Sequence, residues 1–189
     1  MSYAYSEYKR QTTYYAHKTA LRNVLILELL FATGMRISEL CTLTTEQINF
    51  NDYIIKIYGK GSKERLIQIC NKNVQRLMDE YRNEFYFELN NYNYFFINRL
   101  NNRLSEQSVR NMIADYTEKA KIQLHITPHM FRHSFATLLL EEDVDIRYIQ
   151  QMLGHSSITT TQIYTHTSIN KQKDILTVKH PRNKIDIGI

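Results

Sequence analysis

The chain has 189 residues, of which 43% are hydrophobic and 23% charged, and its formal net charge is +5. That length suits one well-cored domain, and the modest basic excess leans toward a polyanionic partner without specifying one. Cys41 and Cys70 are the only cysteines, too few for a disulfide framework or a cysteine-built zinc site. The longest apolar run, within "VLILELLFATG", is too short to cross a membrane. The opening "MSYAYSEYKRQTTYYAHK" lacks the basic-then-apolar pattern of a secretory signal. The expectation is an intracellular protein with no membrane partner.

In chain order, residues 17–33 read as a buried or half-buried helix, which Gly34 stops in a left-handed conformation. "ISELCTL" resumes as a short helix. Residues 47–70 change period: "YIIKIYGKGSKERLIQI" is two β-rich runs around a Gly-Lys-Gly-Ser turn, a hairpin signal. Residues 72–89 return to helix, with Val74, Leu77, Met78 and Tyr81 at helical spacing. An Asn/Tyr-rich stretch follows. Ser105 then has the position of an N-cap for "EQSVRNMIADYTEKAKI", helped by Glu106 in the first turn. Thr127 and Pro128 open "HMFRHSFATLLLEE", whose core face is read as Phe131, Phe135, Leu138 and Leu139. "DIRYIQQML" is a helix with Ile146, Ile149 and Leu153 as its stripe, ended by Gly154. "SITTTQIYTH" reads as another short helix before a basic tail. The fold class is α+β, mainly α-helical, with one small antiparallel sheet.

The densest chemistry lies in "HMFRH", residues 129–133. His129 and Arg132 are three apart and share one side of the first helical turns. Free backbone N–H groups and the positive end of the helix dipole make that end a seat for an anion. Arginine adds a planar fork suited to two phosphate oxygens. The bland alternative is an exposed basic helix start. A metal alternative uses His129 and His133 at i, i+4, but Met130 stands where a zinc protease carries glutamate, and Arg132 would put a fixed cation beside the metal. Three further segments add to this stretch. "ATGMRISEL" carries Arg36 with Glu39 three residues on, "YGKGSKER" carries Lys60, and "LGHSSITTTQIYTH" carries His155 and Tyr164. "GKGSK" lacks the spacing of a nucleotide-binding P-loop. Two arginines, a lysine, two histidines and a tyrosine are a kit for phosphodiester transesterification without metal.

In order and spacing these residues resemble the catalytic domain of the tyrosine recombinases, the family of phage integrases and Xer-type recombinases. The matching positions are Arg36 in "TGMRISEL", Lys60 in "GKGSKER", His129 and Arg132 in "HMFRH", His155 in "LGH" and Tyr164 in "IYTH". The resemblance implies a tyrosine recombinase catalytic-domain fold and a site-specific recombinase that cuts and rejoins DNA strands through a 3′-phosphotyrosyl link. It implies Tyr164 as nucleophile and Arg36 and Arg132 on the non-bridging oxygens. Lys60 would be the acid for the departing 5′-oxygen, and His129 and His155 would hydrogen-bond the phosphate. Glu39 would orient Arg36, against the plainer reading of a surface ion pair. Lys63 and Arg65 allow a rival reading of the hairpin as a basic grip on phosphates, and His133 reads as packing support. His17, His125, His166 and His180 read as capping or core histidines. No cofactor and no metal are implied. The partners implied are double-stranded DNA and further recombinase protomers on paired DNA sites, in a prokaryotic cytoplasm.

Family members usually carry an N-terminal helical domain that clamps the DNA, which residues 1–189 would lack as a single catalytic domain. Residues 167–189 form a tail that could pass to a neighbouring protomer. Ile169, Ile175, Leu176 and Val178 would fill the neighbour's groove, and Lys171, Lys173, Lys179 and Arg182 would stay solvated. The alternative for the tail is folding back in cis. Two other functions remain open beside recombination: type IB topoisomerase-like activity and a non-catalytic DNA-binding regulator.

Overall fold

The computed structural model describes residues 1–59, 64–154 and 166–185. Its centre is α2 (Tyr14–Thr33), whose Leu21, Val24, Leu25, Ile26, Leu29 and Leu30 are fully buried. A helix apolar on nearly every side must be enclosed on nearly every side. Here α1 (Ser2–Arg10), α4 (Lys72–Glu84) and α7 (Pro128–Glu141) pack around it. The helix begins three residues before the expected start. Gly34 stops it with φ +59°, and its N–H donates to the Leu30 carbonyl. The sequence reading found no element in α1. Only Ala4 and Tyr5 anchor it among polar residues, too few for a periodic signal.

The short helix α3 (Ile37–Thr42) leads to a three-stranded antiparallel sheet in the order β1 (Ile48–Asn49), β2 (Ile54–Tyr58), β3 (Glu64–Gln68). The hairpin expectation holds for β2 and β3, with Ile55 opposite Ile67 and Ile57 opposite Arg65. Period-two alternation turns Ile55, Ile57, Arg65 and Ile67 inward. The expected helix over 72–89 divides into α4 and α5 (Tyr86–Asn91) around Phe85. Val74, Leu77, Met78 and Tyr81 are all buried, and Tyr81 closes an aromatic cluster with Phe85, Phe95 and Phe96.

The helix α6 (Glu106–Lys119) is capped as expected, the Ser105 hydroxyl accepting from the Ser108 N–H at 3.0 Å. In α7 the fully buried face is narrower than expected. Phe135 and Leu139 are enclosed, while Phe131 and Leu138 are half-buried at its margin. The helix α8 (Ile146–Leu153) buries Ile149, Met152 and Leu153, but Ile146 is exposed. Ile146 is the first residue of the helix, and the buried stripe develops only toward its end.

The tail packs on its own chain. The helix α9 (His166–Lys179) lies against β3, with Gln172, Ile175 and Leu176 buried and Val178 exposed. A 3-10 turn (Pro181–Lys184) follows and buries Arg182, which the sequence reading placed in solvent. Its Nε donates to both Glu28 oxygens at 3.0 and 2.8 Å, and Tyr5 Oη donates to Glu28 Oε1 at 2.7 Å. The first and last described segments of the chain are thus pinned to α2 through one carboxylate. A guanidinium can be buried here because a carboxylate and the Ile185 carbonyl meet it.

Candidate active site

The site forms where three helix ends and the hairpin converge. The left-handed turn at Gly34 redirects the chain so that Arg36 becomes the residue before α3. Its backbone N–H donates to Glu39 Oε2 at 2.7 Å and its Nη1 to Glu39 Oε1 at 2.9 Å. The same carboxylate accepts Arg65 Nη1 at 2.8 Å and Nη2 at 2.7 Å, a two-point fork. Burial opposes ionisation of Glu39. The Arg65 hydrogen bonds and charge, followed by those from Arg36, outweigh it and hold the carboxyl below its ordinary range. The Glu39 side chain is 7% exposed and that of Arg36 40%. The pair is therefore no simple surface ion pair: one end is buried and the other reaches out.

Arg132 comes from α7. Its Nη1 donates to the Gly34 carbonyl and its Nη2 to the Leu153 carbonyl, both at 2.8 Å. These acceptors lie at the C-terminal ends of α2 and α8, where the helix dipole is negative, so both ends favour a cation. Burial and the neighbouring Arg36 and Arg65 cations push the Arg132 pKa down to about 10. It stays charged at neutral pH, in a place already rich in positive charge.

Arg36, His129 and Arg132 line one cleft of about 210 Å³. Glu106 and Arg110, from the start of α6, line it too and pair with each other at 2.7 Å. In the sequence Glu106 reads only as a helix-start residue, and Arg110 carries no signal of its own. Their i, i+4 spacing was visible, but not which way that face of α6 points. His129 is exposed and hydrogen-bonds no described residue. His133 is also exposed, 3.5 Å from Thr137 Oγ1 and solvated rather than packed. Among the described residues no three histidines, cysteines or carboxylates gather to hold a metal, so the His129/His133 pair finds no third ligand there.

Lys60, His155 and Tyr164 lie outside the described residues. Their flanks are defined: Lys60 falls between β2 and β3, Gly154 ends α8 with φ +68° directly before His155, and α9 starts at His166. Arg65 departs from the reading of a basic grip on phosphate. It is 3% exposed and fully engaged by Glu39 and by the Met152 carbonyl, to which its Nε donates at 2.8 Å. Of the histidines set aside as structural, His180 is buried and caps the last turn. His17 is half-buried against the Tyr8 ring, but His125 is exposed in the loop before α7.

The profile of the phage integrase family matches residues 5–171. A tyrosine recombinase of Agathobacter rectalis is 57% identical over 178 residues, covering 94% of this chain and 58% of that protein. The chain belongs to the phage integrase family. Among solved members, XerA recombinase superposes with a TM-score of 0.67 at 32% identity, covering 89% of this chain and 62% of the other. The XerH site-specific recombinase, bound to its difH substrate in a pre-cleavage complex, gives 0.68 at 26% identity, covering 97% and 48%. The chain thus spans little more than half the length of the curated relatives it matches, and its mainly helical fold with a small antiparallel sheet is shared with the solved recombinases.

Proposed function

We propose that this chain is the strand-transferring domain of a site-specific recombinase, acting on double-stranded DNA with further protomers on paired sites. The observation that carries the reading is the cleft into which Arg36, His129 and Arg132 converge from opposite halves of the sequence. Its two arginines are preorganised, Arg132 by two helix-end carbonyls and Arg36 by Glu39. A phosphodiester entering this cleft meets two fixed guanidiniums and an accessible imidazole. A pentavalent phosphorane carries more charge on its non-bridging oxygens than the starting diester, so fixed cations favour it over the ground state.

In this reading the Tyr164 hydroxyl attacks the scissile phosphorus and the 5′-oxygen leaves with a proton from Lys60. His129 and His155 bond the phosphate, and His129 helps take the tyrosine proton. The link stores the energy of the broken bond, so a 5′-hydroxyl can later reverse the step. The cytoplasm of a prokaryote is the compartment proposed, and no helix among the described residues is long and apolar enough to cross a membrane. Exchange of residues 167–189 between protomers belongs to the same proposal, and the cis packing of the described part, up to residue 185, is the state such an exchange would leave. A topoisomerase-like or purely regulatory role has no observation in its favour.

The test is covalent trapping on a nicked duplex bearing the target site of a related recombinase, with EDTA present. Wild-type protein should give a denaturant-stable protein–DNA adduct. Tyr164→Phe should give none while still shifting DNA in a gel. An adduct surviving in the phenylalanine variant would assign the attack to another residue.

A further inference from the structure

Arg65 lies in the inward row of β3, opposite Ile57, where an apolar residue would be expected. A guanidinium in such a place costs several kcal/mol unless every donor is met. Here Nε goes to Met152 and the two Nη atoms go to Glu39. We propose that Arg65 is the positioning residue of this site: through Glu39 and the end of α8 it sets both phosphate-facing arginines. The proposal rests on the function proposed above and adds a residue to it.

Two segments, α3 and the end of α8, meet on this one side chain. Glu39 is the only described partner of the Arg36 guanidinium, so the aim of Arg36 depends on how the carboxylate is held. Met152 precedes Leu153, whose carbonyl holds Arg132 Nη2. Gly154 lies flush on the guanidinium: a Cβ there would stand 3.1 Å from both Arg65 Cδ and Nη1. The left-handed end of α8 at Gly154 is therefore shaped by Arg65 as well. Arg65 itself stands on the hairpin that carries Lys60. A lysine cannot replace it, because one ammonium cannot present two parallel donors to Glu39 and a third to a carbonyl.

The charge logic gives the proposal a signature of its own. With Arg65 in place, Glu39 has four donors and needs only part of Arg36. Without Arg65, the buried carboxylate keeps one guanidinium partner among the described residues, Arg36. That arginine would turn inward to satisfy Glu39 and be withdrawn from the cleft.

The experiment measures single-turnover adduct formation on a nicked duplex, with full-length protein saturating, for wild type, Arg65→Lys, Arg65→Gln, Glu39→Gln and Arg65→Gln/Glu39→Gln. Arg65→Lys keeps the charge and should fold, yet form adduct on the order of 100-fold more slowly, as expected for a displaced catalytic group. DNA affinity should change less than about threefold, since one phosphate among many is involved. Removing Glu39 as well should make Arg65→Gln no slower, because the aim of Arg36 that Glu39 provides is already lost once Arg65 is gone. A substrate with a methylphosphonate at the scissile position needs less positive charge, and on it the Arg65 deficit should shrink at least about tenfold. Equal deficits on both substrates, or multiplying losses in the double variant, would overturn the proposal. A crystal structure of Arg65→Lys tests the geometry without catalysis: both Arg36 Nη atoms should lie on Glu39, and an unmoved Arg36 would refute it. If wild type forms no adduct, the proposed function fails, and this structure still decides the role of Arg65.

Discussion

Acidification should loosen the C-terminal turn through His180. The Arg182 backbone N–H donates to His180 Nδ1 at 3.0 Å, so the ring proton sits on Nε2 and is donated to the Ala32 carbonyl at 2.9 Å. The ring is buried, with Phe31 and Phe135 beside it. The charge that acts on it is Arg182 on its own turn, itself paired with Glu28 on α2. Burial lowers the His180 pKa, the Ala32 carbonyl partly opposes this, and the Arg182 cation lowers it further, leaving it at about 4 against 6.5 for a free imidazole. The folded state therefore binds the proton less readily than the unfolded chain. Stability from neutral His180 is complete above about pH 6.5 and is lost as pH falls toward 4. A difference of that size corresponds to roughly 3 kcal/mol. His180→Gln keeps an amide donor for Ala32 and cannot titrate. Urea unfolding followed by circular dichroism, run on both proteins from pH 8 to pH 4, isolates this contribution from that of every other acid-sensitive group. The wild-type advantage should shrink by roughly 3 kcal/mol across that range. A gap that stays constant with pH would show that His180 keeps its ordinary pKa in the fold, and one that widens as pH falls would show that the ring is protonated there; either result would refute the reasoning.

Gly34→Ala should destabilise strongly, because φ is +59° and a Cβ would stand 2.8 Å from both Leu153 Cδ2 and Phe135 Cδ1. Left-handed strain plus core overpacking amount to about 2–5 kcal/mol, and calorimetry should show a Tm lower by several degrees at least. A Tm within a degree of wild type would mean that the α2–α7–α8 junction is looser than described. Arg132→Lys keeps the charge but cannot reach the Gly34 and Leu153 carbonyls while presenting two donors to a phosphate. Adduct formation should fall on the order of 100-fold with DNA affinity nearly unchanged, and a lysine variant of full speed would show that charge alone suffices.

What the sequence made legible follows from which signals are local. Gly34 and Gly154 could be read because a left-handed helix end favours glycine, and Ser105 because a cap is decided within four residues. The convergence of Arg36 and Arg132 was reachable only through resemblance, since their meeting depends on α7 crossing α2, and no local pattern records a crossing. Arg65 and Arg182 were misread for a shared reason. Each stands in a basic stretch, where solvation is the default expectation, yet each is buried on a carboxylate far away in sequence, Glu39 or Glu28. In β3 the alternation alone does not single out Arg65, because Leu66 on the opposite face is itself half-covered by the tail that lies on that strand. An amphipathic strand covered on both faces loses the contrast that sequence reading needs.

The charge balance of the site explains why it needs so much scaffolding. Arg36, Arg65 and Arg132 are close enough for the first and second to depress the third, while Glu39 is the carboxylate that binds two of them. Arg65 is spent on Glu39 and Met152, leaving Arg36 half-exposed, and the described partners of the Arg132 guanidinium include the Gly34 and Leu153 carbonyls. The carbonyls at the ends of α2 and α8 offset part of the repulsion but carry only partial charge. The other carboxylate lining the cleft, Glu106, is paired with Arg110 and so leaves both guanidiniums to phosphate. Among the described residues the cluster is thus short of negative charge, and it is held in place through Gly34, Leu153 and the Arg65–Glu39 fork. That shortage is an energetic cost to the free protein, and an entering phosphodiester removes it. It is removed further as charge grows on the non-bridging oxygens, so the repulsion held in the fold favours the transition state over the bound diester.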